Sequence, residues 1–200
     1  MEDTYRTIKA KSEGLYKEKG SKFIALAFPV YTEEEIKMIL EEIRGKYYDA
    51  RHHCYAYRLG ADKLRFRAND DGEPSSTGGK PILGQIVAND LTNILVVVVR
   101  YFGGIKLGVS GLINAYRTAA ADALEQAIVE EKTEDEVVKI KFSYVVLNDV
   151  MRIIKELEPA VLERNFELEC RMILAIRRKL LPVLFEKMQQ VESLIWEEEV

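Results

Sequence analysis

The apolar positions of this chain change period along its length, and each period predicts one kind of element. Ile94–Val99 is an unbroken, largely β-branched run that is too short for a helix, so it predicts a strand buried on both faces. Thr32 and Glu35 have capping-box spacing and precede apolar residues at helical intervals, which predicts a helix. A second, long helix is predicted over Ser110–Ile128, with Ser110 as its N-cap and small residues on its apolar face.

The last third of the chain has a separate and regular pattern. Glu130–Glu136 is charged and lacks apolar residues, so it predicts a break between two domains, at residues 1–133 and 137–200. Beyond it, the predicted order is β-α-β-β-α-β, which is typical of a ferredoxin-like domain. The last three of these strands are predicted at Val161–Phe166, Leu168–Ile176 and Ser193–Val200. The predicted fold class is therefore α+β with two domains.

Composition limits the classes of protein to which the chain can belong. Its 200 residues are 48% hydrophobic and 31% charged, with a net charge of −4, as in a globular domain rather than a basic nucleic-acid coat. Between Arg51 and Arg117, however, nine Lys or Arg residues stand against five acids. This local excess is compatible with a phosphate-binding face.

The sequence contains few signals for protein targeting, disulfide formation or zinc binding. The N-terminus is charged and lacks an apolar signal region, and no apolar run reaches membrane-spanning length. We therefore expect a cytoplasmic protein with no membrane partner. Cys54 and Cys170 lie far apart and form no Cys-x-x-Cys motif, so the sequence indicates neither a disulfide framework nor a zinc site.

Two Gly-rich loops should flank one end of the buried strand. The first is Asp70–Lys80, and the second, Arg100–Ser110, leads into the long helix. Glycines allow sharp turns and close backbone approach, and a capped helix N-terminus attracts anions. The candidate anion- or nucleic-acid-binding residues are Lys80, Arg100, Gly103, Gly104, Lys106, Ser110, Gly111 and Arg117. The alternative is a structural turn and cap that binds no ligand.

The first loop also contains the best acidic cluster of the chain. Asp70, Asp71 and Glu73 could hold a cation, yet an Asp-Asp-Gly-Glu-Pro run is also ordinary turn chemistry. His52 and His53 project to opposite faces of a predicted strand, so at most one can face the loops. We assign no catalytic residue, no metal site and no cofactor.

Four segments resemble a known family. KGSKFIA at 19–25, HHCYAYRLG at 52–60, DDGEPSSTGGKPIL at 70–83 and VVRYFGGIKLGVSGLINAYR at 98–117 are similar to the IMPACT/YigZ family. The resemblance implies an N-terminal domain like domain 2 of ribosomal protein S5 and a C-terminal domain like the last domain of elongation factor G. It also implies a link to translation, since bacterial members are suspected nucleic-acid or ribosome binders and eukaryotic relatives act in translational control.

Two functions from different classes remain open. The first is a noncatalytic protein that binds RNA or the ribosome through phosphate contacts at the Gly-rich loops and takes part in translation regulation. The second is an enzyme acting on a phosphorylated small molecule, with a cation held by the Asp70–Glu73 loop. Basic residues without an evident base or nucleophile favour the first. The oligomeric state is not predicted.

Overall fold

The computed structural model describes residues 3–167 and 169–197. The chain divides into two compact units, Tyr5–Lys132 and the described parts of Met1–Thr4 with Thr133–Val200. Residues 130–136, predicted as the break between two domains, are not a loop but lie in strand β7 (Val129–Thr133) and at the start of strand β8 (Asp135–Ser143). The division between the two compact units falls within this segment. Strand β7, in which only Val129 is apolar, pairs with strand β1 (Thr4–Ile8), so backbone pairing compensates for its scarcity of apolar residues. The independence of the two predicted domains stays a prediction.

The first unit is built on a five-stranded antiparallel sheet. Its strands lie in the order β2 (Ser12–Glu18), β3 (Ser21–Pro29), β6 (Ile94–Tyr101), β4 (His52–Leu59) and β5 (Arg65–Asn69). The predicted buried strand is confirmed as the central one, and every side chain of Ile94–Val99 is fully buried. Burying one such side chain contributes about 1.5–3 kcal/mol, so β6 anchors the unit.

Helices cover both faces of this sheet. Alternate β6 residues from Ile94 pack in one core with helices α2 (Gly79–Ala88) and α3 (Gly108–Glu125), while those from Leu95 pack in a second core with helix α1 (Glu33–Lys46). The capping box of α1 is confirmed, since Thr32 Oγ1 accepts a hydrogen bond from Glu35 N at 3.2 Å. Glu35 Oε2 in turn accepts one from Tyr31 N at 2.7 Å.

The predicted start of α3 is wrong. The helix begins at Gly108, its N-cap is Leu107, and no side chain caps it, so Ser110 lies inside the first turn. The reason is the backbone at Gly108, whose φ of +73° lets the chain turn into the helix before Ser110 is reached. The first turn therefore keeps backbone N–H groups that no capping side chain occupies.

The second unit has the predicted β-α-β-β-α-β order. After β8 come α4 (Leu147–Leu157), β9 (Ala160–Phe166), β10 (Glu169–Arg177), α5 (Leu181–Met188) and β11 (Ile195–Glu197). The antiparallel sheet has the order β11-β8-β10-β9, so the ferredoxin-like topology is confirmed. Residue 168 and residues 198–200 of the predicted strands lie outside the described residues. Within the described ranges, no helix combines the length and apolarity needed to cross a membrane.

Candidate functional site

An open cleft of about 430 Å³ lies at the end of the central strand, within the first unit. It lies where the two Gly-rich loops meet the ends of β4 and β6, because His52 pairs with Arg100 in the strand register. The first loop supplies Glu73 and Pro74, and most of the other lining residues come from the second loop and the start of α3. The lining residues are Arg51, His52, Glu73, Pro74, Arg100, Phe102, Lys106, Leu107, Gly108, Val109 and Leu112.

A buried polar cluster forms the base of the cleft. Glu73 Oε1 accepts hydrogen bonds from Arg100 Nη1 at 2.5 Å and from Tyr116 OH at 2.8 Å. The Glu73 and Arg100 side chains are only 4% and 7% exposed, so solvent screens their attraction little. Burial raises the pKa of Tyr116, with further contributions from Cys54 and Glu73, which keeps its hydroxyl protonated as a donor. His52 Nε2 lies 3.8 Å from the same carboxylate oxygen.

Aromatic rings lie beside the Arg100 guanidinium. Its central carbon lies 5.4 Å from the centroid of the Phe23 ring and 5.6 Å from that of Phe102, which are cation–π distances. Phe23 is fully buried, whereas Phe102 is 45% exposed at the cleft. In the described part of the chain, Arg100 Nε has no hydrogen-bond acceptor although it is buried.

The acidic residues of the first loop hold the loop together. Asp70 accepts hydrogen bonds from the backbone N–H groups of Ser76, Gly78 and Gly79 at 2.8–3.0 Å, so it caps the start of α2. Asp71 Oδ2 accepts one from His53 N at 2.7 Å.

Asp71 also orients the neighbouring histidine. Its carbonyl oxygen lies 2.8 Å from His52 Nδ1, and a carbonyl only accepts, so Nδ1 carries a hydrogen. The predicted possible cation loop, Asp70, Asp71 and Glu73, thus consists of carboxylates with separate protein donors. Over residues 3–167 and 169–197, no three His, Cys, Asp or Glu side chains form a group that could hold a metal ion.

The glycines of the second loop serve close packing and turns. A Cβ at Gly103 would lie 1.9 Å from the carbonyl carbon of Gly20, and Gly103 N donates to Ser21 Oγ at 3.1 Å. Gly104 has a φ of +89°, a conformation that favours glycine. These positions therefore have structural roles whether or not a ligand binds.

The predicted anion-binding residues separate into two groups. Arg100 and Lys106 line the cleft, but Arg100 is buried and paired with Glu73. Lys80 and Arg117 are exposed on α2 and α3 and do not line it. Ser110 and Gly111 lie in the first turn of α3. The sequence did not indicate three residues of the site, Arg51, Phe102 and Tyr116. Of these, only Arg51 had a signal in the sequence, which was its position directly before β4.

Comparison with known proteins identifies the family. The model of the Impact N-terminal domain matches residues 19–124, which include every residue lining the cleft. The chain belongs to the IMPACT family. A Haemophilus influenzae IMPACT family member is 32% identical over 187 residues, covering 92% of this chain and 91% of that protein. IMPACT family member YigZ of Escherichia coli is 42% identical over 117 residues, covering 58% of this chain and 57% of YigZ.

Solved structures extend the likeness to the whole fold. A crystal structure of a hypothetical protein matches with a TM-score of 0.74 and 29% identity, covering 100% of both chains. The two-domain translational regulator Yih1 matches with a TM-score of 0.39 and 26% identity, covering 60% of this chain and 48% of that one. The second similarity is too low to carry a functional argument. The mixed α/β fold and the family are thus established by independent comparisons.

Proposed function

We propose that this IMPACT family protein is a noncatalytic RNA- or ribosome-binding protein with a role in translation regulation, and that phosphate groups bind at the cleft between its two Gly-rich loops. The link to translation is what the family resemblance implies. The observation that carries the proposal is the charge of the cleft. Arg51, Arg100 and Lys106 line it against one acid, Glu73, which leaves a net positive surface in an acidic chain.

The position of α3 supports the same proposal. Gly108 and Val109, in its first turn, line the cleft, so the positive end of an 18-residue helix lies at this site. Uncapped N–H groups and the helix dipole both favour a phosphate oxygen. The cation-assisted enzyme has less support, because Asp70, Asp71 and Glu73 are each engaged by protein donors.

The test is the salt dependence of RNA binding, measured by fluorescence anisotropy with a short labelled single-stranded RNA. About three phosphate contacts predict a log–log slope near −2. Lys106→Ala removes an exposed lysine from the cleft and should make the slope shallower by roughly 0.7. The matched control is Lys37→Ala, an exposed lysine on α1, which packs on the other sheet face.

Two results would contradict the proposal. One is the absence of RNA binding at low salt. The other is an equal slope for Lys106→Ala and Lys37→Ala, because the phosphates would then contact a different surface. Melting curves of both variants establish that each remains folded.

A further inference from the structure

Phosphate contacts would explain the charged residues that line the cleft, but not its apolar residues. Together with its charged groups, the cleft has five apolar wall residues, namely Pro74, Phe102, Leu107, Val109 and Leu112. A site for phosphate alone would not need an apolar wall, and exposed apolar surface beside charges is typical of ligand sites. A volume of about 430 Å³ also exceeds what one phosphate group fills and lies in the range of small-molecule sites.

Phe102 is the prominent element of this wall. One neighbour of its ring is the Arg100 guanidinium, which also lies beside Phe23. With 45% of its surface exposed, Phe102 can accept a further flat group on its exposed surface. In RNA, the flat groups that accompany phosphates are the nucleobases.

The base of the cleft offers polar groups that could bind the edge of such a ring. The Arg100 side chain is 93% buried and lines the cleft, and its Nε–H has no acceptor in the described residues. A buried donor without an acceptor costs about 1–3 kcal/mol, so an acceptor brought within reach of this group by a ligand would stabilise the complex. Glu73 and the oriented ring of His52 lie beside it.

From these observations the geometry points to a nucleotide site: the cleft binds one nucleotide unit, with its base stacked on Phe102 and its phosphate toward Arg51 and Lys106. The inference rests on the proposed function for the origin of the nucleotide, which is a single-stranded segment of RNA. A free nucleoside monophosphate has the same chemistry and is distinguished by the experiment.

The experiment measures the affinity of a short labelled single-stranded RNA for four variants at one salt concentration. Phe102→Ala should weaken binding about 5- to 150-fold, the cost of removing one stacked base, while Phe102→Trp should keep the affinity. The matched control is Phe66→Ala, an exposed aromatic on β5 outside the cleft, which should bind as the parent does. Val109→Trp fills the cleft from an exposed position and should also weaken binding.

The salt slope separates this inference from the proposed function. Phe102→Ala should leave the slope unchanged, because it removes no phosphate contact. A flat slope in the parent together with a strong loss in Phe102→Ala would refute the phosphate proposal and leave the base site supported. A normal slope with Phe102→Ala and Val109→Trp binding like Phe66→Ala would overturn the nucleotide site alone.

Competition identifies the source of the nucleotide. If unlabelled nucleoside monophosphates displace the RNA from the parent protein, and bind Phe102→Ala more weakly, the free nucleotide is also a ligand. If only unlabelled RNA strands displace the labelled RNA, the site binds a base only as part of a strand. Failure of both RNA and monophosphates to bind the folded parent would overturn the inference.

Discussion

Replacing Glu73 by Gln should destabilise the first unit strongly. The substitution keeps the shape and one acceptor oxygen, but it removes the charge that compensates the buried Arg100 guanidinium. Breaking a buried ion pair by removing one charge costs about 3–5 kcal/mol. With side-chain exposures of 4% and 7%, solvent cannot replace the lost partner. At about 4 °C per kcal/mol for a unit of this size, the melting temperature should fall by roughly 12–20 °C.

The assay is thermal unfolding followed by far-ultraviolet circular dichroism. The only tryptophan, Trp196, lies in the second unit, so its fluorescence reports that unit rather than the site. The matched control is Glu13→Gln, because Glu13 pairs with Lys11 at the surface, with exposures of 57% and 42%. A surface pair contributes about 0.2–1 kcal/mol, so this variant should melt almost as the parent does.

A double variant tests the pairwise interaction. Glu73→Gln combined with Arg100→Met should be less destabilised than the sum of the two single variants, because no buried charge is left without a partner. Equal melting temperatures for Glu73→Gln and Glu13→Gln would refute the reasoning. Strict additivity in the double variant would do the same.

Two further predictions concern backbone packing and acid stability. Gly103→Ala should destabilise the first unit, because the added Cβ would lie 1.9 Å from the Gly20 carbonyl carbon. At Gly84 an added Cβ would meet no atom within 4 Å, so Gly84→Ala should stabilise α2 by about 0.5–1 kcal/mol. Urea unfolding measures both changes in stability. In the second unit, hydrogen bonds from Arg177 hold the pKa of Asp3 at about 2 instead of its ordinary 3.8. The stabilising effect of the ionised Asp3 carboxylate is present above pH 3.8 and is lost as the pH falls toward 2. Asp3→Asn should therefore flatten this part of the acid-unfolding profile measured by Trp196 fluorescence. An unchanged profile would contradict this prediction.

Local sequence signals determined the elements of this fold. An apolar run of strand length, Ile94–Val99, predicted the central strand, and the capping box at Thr32 predicted the start of α1. The alternation and helical spacing in the last third predicted the ferredoxin-like order. These predictions succeeded because burial on both faces, helix capping and amphipathic periodicity are properties of neighbouring residues. The signals placed the start of α3 wrongly at Ser110, where the backbone conformation of Gly108 decides it, and they did not predict strand β7, which depends on pairing with β1.

Only the tertiary structure decided which side chains meet at the cleft. Arg100 is 27 residues from Glu73, and Tyr116 is 43 residues from it, so neither partner is marked by sequence spacing. Their contact follows from strand register, which places His52 opposite Arg100, and from the packing of α3 against the sheet. The sequence therefore determined that two Gly-rich loops with basic residues flank one end of a buried strand. Long-range packing determined that Arg100 is a buried, paired cation, because one carboxylate could reach it only once the sheet and the first loop were folded.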